Sequence, residues 1–201
     1  MHRAVFLDRD GVINAAIYNP VEGKLDSPYS LEEFRILSGA AKAIRVINEM
    51  EFLVIVASNQ PGVAKGKCDL HLLEAMNDLM TASLAKQGAR LDGIYYCLHH
   101  PQAAIPSLRI PCECRKPKPG LLQTAARERD IDLSRSFMIG DQQTDIEAGL
   151  AVGCKTVLLN GHPTPGPPRA PRARPHRIAT NLLDAAATIQ YLEGGSPWRS
   201  S

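Results

Sequence analysis

Two carboxylates stand two positions apart in the run Asp8-Arg9-Asp10-Gly11-Val12. Such a pair can hold Mg²⁺, which takes oxygen ligands and keeps several of its waters. One carboxylate can attack phosphorus, and the other can protonate a leaving oxygen. The same letters also spell an ordinary turn. Three later runs offer matching chemistry. Ser58-Asn59-Gln60-Pro61-Gly62 brings a hydroxyl and an amide that can donate to phosphoryl oxygens, or simply turns the chain. Arg115-Lys116-Pro117 brings two cations able to neutralise a phosphoryl group, or a solvated charge pair. Ile139-Gly140-Asp141-Gln142-Gln143-Thr144-Asp145 offers Asp141 to complete a Mg²⁺ site. Asp145 can orient Lys116 or serve as a first-turn acid at a helix N-terminus.

A second cluster is made of softer ligands. Cys97-Leu98-His99-His100 is followed by Cys112-Glu113-Cys114. Three thiolates and one imidazole suit tetrahedral Zn²⁺, and four protein ligands close the site, which makes it structural. The alternative is cysteines buried as small hydrophobes beside a surface histidine. The loop over 98–111 contains Pro101, Pro106 and Pro111 and has little means of ordering itself; bound metal would supply that order. Cys68 and Cys154 have no partner in sequence.

The elements that must position these groups follow from periodicity. Ala4-Val5-Phe6-Leu7, Phe52 to Ala57, Gly93 to Tyr96, Phe137 to Ile139 and Thr156 to Leu159 are short apolar runs that read as buried strands. Helical spacing falls over 39–50, from Asp69 as cap through Leu84, over 119–129, over 144–151 and over 182–192 with Asn181 as cap. Strands alternating with helices predict an α/β fold: a Rossmann-like, doubly wound parallel sheet with helices on both faces. Ligands in such sheets bind beyond the carboxyl ends of the strands, and each polar run above follows a strand. No large cap domain fits between these elements. The reading is one domain over 1–193, with a zinc-binding loop over 97–114, a Pro/Arg-rich loop over 161–177 and a flexible tail over 194–201.

Composition narrows the function classes. The chain has 201 residues, is 44% hydrophobic and carries a net charge of +2. Four arginines and no acid lie within 161–177, so the body is slightly acidic. That balance, with 5% aromatics, argues against a nucleic-acid surface. No apolar run approaches the length of a membrane span. The start of the chain has no secretory signal pattern. Five cysteines, an odd number, point to a reducing, cytoplasmic setting rather than a disulfide framework.

Four polar motifs in this order resemble the haloacid dehalogenase superfamily of phosphatases, over about residues 3–192. The resemblance implies that Asp8 is the nucleophile and forms an aspartyl-phosphate. Asp10 is then the general acid and afterwards the base. Ser58 and Asn59 bind the phosphoryl group, with Gln60 beside them on the substrate, and Lys116 stabilises its charge. Asp8, Asp10 through its carbonyl, and Asp141 hold Mg²⁺. For zinc, the resemblance selects Cys97, His99, Cys112 and Cys114, with His99 in preference to His100. It implies a capless member.

Within that superfamily the chain is similar to the D-glycero-D-manno-heptose 1,7-bisphosphate 7-phosphatases and the related histidinol-phosphatases. The similarity lies in Phe6 to Gly11, Ser58 to Gly66, Asp92 to Cys97 and Cys112 to Pro117. It implies that Ala16 to Asn19 lie near sugar and that Arg115 grips the distal phosphate or the sugar. Departures are Val12 for a frequent Thr, Ser58 for Thr, Pro61 for Ser, and Gln142 for a Lys common in the heptose enzymes. The expectation is a Mg²⁺-dependent phosphatase acting on a phosphorylated sugar at its 7-phosphate. It would work as a monomer, without nucleic-acid or membrane partners. The alternatives are a histidinol-phosphate phosphatase and, from another class, a zinc-knuckle binding module, which would need a basic face.

Overall fold

The computed structural model describes residues 1–20, 23–161 and 173–194. In chain order its main elements are β1 (Ala4–Leu7), β2 (Ile17–Asn19), β3 (Lys24–Asp26), α1 (Ala40–Glu49), β4 (Leu53–Asn59), α2 (Leu70–Ala85) and β5 (Gly93–Cys97). Then come α3 (Gly120–Glu128), β6 (Phe137–Gly140), α4 (Gln143–Ala151), β7 (Lys155–Leu159), β8 (Arg177–Ala179) and α5 (Leu182–Leu192).

Six of the strands form one parallel sheet in the order β5-β4-β1-β6-β7-β8. Numbered within the sheet, that is 3-2-1-4-5-6, the doubly wound order whose crevice opens where the winding reverses. The reversal lies at β1, flanked by β4 and β6. Leu7 pairs with Val56 on one side and Ile139 on the other, and β4 runs on beside β5 to Asn59, so the chain after β1 leaves between the ends of β4 and β6.

Side chains alternate between the two faces. Val5 and Leu7 join Val54, Val56, Phe137 and Ile139 under α1, α2 and α5. Ala4 and Phe6 join Ile55, Ala57 and Met138 beneath Leu121, Leu122 and Ala125 of α3. Gly149 of α4 approaches Met138 and Thr156 so closely that a Cβ would sit 2.7 Å from Met138 Cβ, which places α4 on this second face. The expected doubly wound sheet is thus present. On α2, Leu73, Met76, Met80 and Leu84 are buried, whereas Leu79 points to solvent.

Two elements depart from the sequence reading. An antiparallel hairpin, β2–β3, follows β1, where the sequence pattern named no strand. The expected Pro/Arg-rich loop ends earlier than 177, because Arg177 opens β8, an edge strand beside β7. An edge position suits it, since only one side of the backbone needs a partner. Residues 162–172 of that loop and 195–201 of the expected tail lie outside the described residues. Among the described residues, nothing larger than the hairpin is inserted between β1 and α1, and no domain between β4 and α2.

Candidate active site

The site forms where β1, β4 and β6 end. Asp8 follows β1 directly, and its N–H still donates to Ile139 O at 3.0 Å, so the sheet ladder carries the residue. Gly11 turns the chain with φ +82, and a Cβ there would lie 2.4 Å from Asp141 Oδ2. Only glycine lets the Asp8–Asp10 loop lie against Asp141. Gly140 does the same for Asp145, whose Oδ2 would be 2.1 Å from an added Cβ.

Lys116 is buried at the centre. Its Nζ lies 3.0 Å from Asp8 Oδ1 and 2.5 Å from Asp145 Oδ1. Burial alone would pull its pKa down, yet Asp145 and Asp8 reverse that and hold it above the ordinary lysine value. Asp8 Oδ1 also accepts from Arg9 N at 2.8 Å, so both of these contacts fall on one oxygen. Burial pushes the Asp145 carboxyl up to about 6, against the pull of Lys116. Asp145 Oδ2 also accepts from Gln142 N at 3.0 Å, closing a capping box at the start of α4.

Asn59 clamps Lys116 from outside. Its Oδ1 accepts from Lys116 N and its Nδ2 donates to Lys116 O, both at 3.0 Å. The Asn59 amide is therefore turned to the Lys116 backbone. Gln60, 3% exposed, donates to Asp10 Oδ2 at 2.7 Å and to Ser58 Oγ at 3.1 Å. Arg115 donates to His99 O at 3.1 Å and so braces the cysteine loop. Asn19 ends β2 and lines a cleft of about 180 Å³ with Tyr18, Asp26, Ser27, Tyr29 and Glu33.

Asp10 has a cradle of donors that its sequence neighbourhood did not announce. Arg9 Nε and Nη2 donate to Oδ1 at 3.1 and 3.0 Å, and Nη2 reaches Oδ2 at 3.2 Å. Asn14 Nδ2 adds a bond to Oδ1 at 2.9 Å, and Ser27 Oγ one to Oδ2 at 2.8 Å. Arg9 has no exposure and sits between the rings of Phe34 and Tyr96. Those rings come from distant segments, so nothing in the local sequence signals that Arg9 is buried.

The carboxylates of Asp8, Asp141 and Asp145 offer oxygens within 4.8 Å of one another. Asp141 Oδ1 is buried with no hydrogen-bond partner, while Oδ2 accepts from Gln142 Nε2 at 3.1 Å. Burial, then Asp8 and Asp145, push the Asp141 carboxyl up to about 8. A buried acid without a neutralising partner, among hard oxygen donors, fits a divalent cation such as Mg²⁺.

The soft cluster also assembles. Cys97 Sγ lies 3.7 Å from Cys112 Sγ, 3.1 Å from Cys114 Sγ and 3.8 Å from His99 Nδ1. His99 Nδ1 is 3.3 Å from Cys114 Sγ. Legs of about 2.3 Å from a tetrahedral Zn²⁺ imply sulfur–sulfur edges of about 3.8 Å, which the Cys97–Cys112 pair matches while the Cys97–Cys114 pair is shorter. None of the five cysteines is in a disulfide. Burial pushes the Cys97 thiol up, whereas N–H groups of Arg115 and Cys114 and the neighbouring thiols outweigh burial at Cys112 and hold it down. The loop is anchored by Ala104 and Ile105 N–H bonds to Ala64 O at 2.7 and 3.2 Å. A larger groove of about 280 Å³ between α1 and α5, lined by Val46, Leu183 and Gln190 among others, contains no motif residue.

Comparison with known proteins agrees with this geometry. The family model described as HAD-hydrolase-like matches residues 113–185. D-glycero-beta-D-manno-heptose-1,7-bisphosphate 7-phosphatase of Escherichia coli K12 is 39% identical over 164 residues, which are 80% of this chain and 81% of the relative. The Pasteurella multocida protein of the same name is 36% identical over 161 residues, 79% of this chain and 82% of its own. Among solved structures, D,D-heptose 1,7-bisphosphate phosphatase from B. bronchiseptica, complexed with magnesium and phosphate, superposes with a TM-score of 0.74 at 30% identity. That match covers 96% of this chain and 99% of the other. The Burkholderia thailandensis enzyme of that name gives a TM-score of 0.61 at 25% identity, covering 94% and 98%. With a haloacid-dehalogenase-like sheet, its carboxylates gathered on one buried lysine and relatives of this identity and coverage, the chain belongs to the family of the D-glycero-beta-D-manno-heptose-1,7-bisphosphate 7-phosphatases.

Proposed function

We propose that the enzyme removes the 7-phosphate of D-glycero-D-manno-heptose 1,7-bisphosphate through an aspartyl-phosphate. The observation that carries this reading is the contact of Asp8 with Lys116, 3.0 Å, at the strand end where the sheet reverses. Asp8 Oδ2 attacks phosphorus in line with the sugar oxygen. As the bond from phosphorus to that oxygen breaks, Asp10 gives its proton to the departing alkoxide. Asp10 then takes a proton from the water that attacks the phosphoryl group on Asp8, releasing phosphate and restoring the Asp8 carboxylate and the Asp10 acid. Lys116 and Ser58 meet the phosphoryl oxygens, and Asn59 acts by fixing the Lys116 backbone. Gln60 acts through Asp10, and Arg115 and Asn19 lie on the sugar side.

Mg²⁺ would be held by Asp8, Asp141 and the Asp10 carbonyl, and when bound it supplies charge neutralisation to the phosphoryl oxygens. Zn²⁺ would be held by Cys97, His99, Cys112 and Cys114 and fixes the loop that leads into Arg115 and Lys116. The working unit in this reading is a single domain over 1–193, a monomer in the cytoplasm. No helix among the described residues is long and apolar enough to cross a membrane, and the unpaired cysteines accord with a reducing compartment.

The test compares the heptose bisphosphate with histidinol phosphate and other phosphate monoesters, with Mg²⁺ present. Preference for the heptose bisphosphate, abolished in folded Asp8→Asn, is the expected result. Clear preference for histidinol phosphate would move the substrate, and residual turnover by Asp8→Asn would remove the nucleophile.

A further inference from the structure

The cradle around Asp10 contains one group unlike the rest. Arg9, Asn14 and Gln60 present only N–H groups to the Asp10 carboxylate. Such groups donate and cannot accept. The Ser27 hydroxyl, 2.8 Å from Oδ2, can do either. It can donate to Asp10 as a carboxylate and accept from Asp10 as an acid.

Ser27 is also held in place. It follows β3 directly, and its N–H donates to Asp26 Oδ1 at 3.0 Å. Asp26 Oδ2 takes a bond from Lys67 Nζ at 2.6 Å, and Asp26 Oδ1 takes one from Tyr29 OH at 2.6 Å. The Lys67 ammonium lies 5.2 Å from the centre of the Tyr29 ring. Lys67 belongs to the turn after β4, whose Lys67 N donates to Gly62 O at 2.9 Å. The hairpin is therefore latched to the turn that follows Gln60. Ser27 itself is 9% exposed, so water competes little for its hydroxyl.

We propose that Ser27 is a positioning residue for Asp10, kept on its Oδ2 by the Asp26–Lys67 latch. The hydroxyl donates to Oδ2 when Asp10 is a carboxylate, and when Asp10 is an acid it accepts the proton until that proton turns to the leaving oxygen. The Asp10 carboxyl thus keeps one orientation through the two halves of the reaction. Because β2 and β3 also line the cleft of Tyr18 and Asn19, the element that faces the sugar in the proposed reaction sets the acid. The inference rests on the reading of Asp10 as general acid.

The experiment separates the two. Turnover is measured on p-nitrophenyl phosphate, whose phenolate departs without a proton, and on the primary sugar phosphate that wild type hydrolyses fastest. Asp10→Asn is the reference: it must lose far more on the sugar ester than on the aryl ester. Ser27→Ala is expected to lose about 10-fold or more in kcat on the sugar ester, a part of the 10²–10⁴ that proton transfer supplies, and far less on the aryl ester. KM for the aryl ester should move little. Ser27→Thr, which keeps a hydroxyl, should recover most of the loss, and Lys67→Met should show a weaker form of the same split. Equal losses on both esters, no loss, or no recovery with Thr would overturn the positioning role while leaving Asp10 in place. An Asp10→Asn variant without the split, or a wild type that hydrolyses only the aryl ester, would overturn the general-acid reading and this inference with it.

Discussion

Arg9 grips both carboxylate oxygens of its own sequence neighbour, Asp10, from a position with no exposure to solvent. A buried charge pair is sensitive to the removal of one partner, because the other charge is left uncompensated. Arg9→Met keeps much of the volume between Phe34 and Tyr96 but leaves Asp10 without its cation. Urea denaturation should show a loss of about 3–5 kcal/mol. A loss under about 1 kcal/mol would mean that Asn14, Ser27 and Gln60 hold Asp10 without help.

Asp141 has a buried oxygen, Oδ1, without a hydrogen-bond partner. Asp141→Ala removes a ligand of the proposed Mg²⁺ site and should raise the Mg²⁺ needed for half-maximal activity by at least about 10-fold. Isothermal titration with Mg²⁺ alone checks the same point without turnover. Unchanged Mg²⁺ binding would exclude Asp141 from the site.

Metal content tests the soft cluster. Protein purified without chelator should hold about one zinc per chain, by the four-ligand argument. Cys112→Ala should lose the zinc and fall in Tm, since the loop over 98–111 has few other anchors. Elemental analysis beside calorimetry reads both. Zinc-free wild type of full activity and unchanged Tm would end the assignment.

Asp26 gives a pH signature well away from the carboxylates on Lys116. Burial pushes its carboxyl up, but bonds from Lys67, Tyr29 and Ser27 N–H outweigh burial and hold it below the ordinary value. A depressed acid stabilises the fold above its unfolded value, about 3.9, and that contribution disappears as pH falls through the lower folded value. The Tm difference between wild type and Asp26→Asn should therefore be steady near neutrality and shrink below about pH 4. A difference that ignores pH would mean that the latch is held by Tyr29 and not by charge.

The sheet and its helices were legible because each buried strand is a continuous apolar run and each helix shows its period. The helix over 182–192 has the bounds that its Asn181 cap implied. The β2–β3 hairpin was not legible. Its strands, Ile17-Tyr18-Asn19 and Lys24-Leu25-Asp26, are three residues long and mix polar with apolar side chains, so no alternation can build up. The edge strand at Arg177 hid behind the prolines before it. At the site, the motif residues were visible as a set of types, but their partners were not. Arg9 has no assigned role in the sequence, and its burial beside Phe34 and Tyr96 appears only in the fold. Asn59 reads as a phosphoryl donor and Gln60 as a substrate contact until their amides are seen to meet the Lys116 backbone and Asp10. Such pairings depend on three-dimensional neighbours, which spacing along the chain does not encode.

The amide of Asp8 is a rung of the central ladder, bonded to Ile139 O. Its exchange with deuterated water should accordingly follow global unfolding rather than loop fluctuation. A group anchored in this way cannot drift from its target between one encounter and the next. The entropy of aiming it is met once, while the chain folds, and is not required again at each turnover.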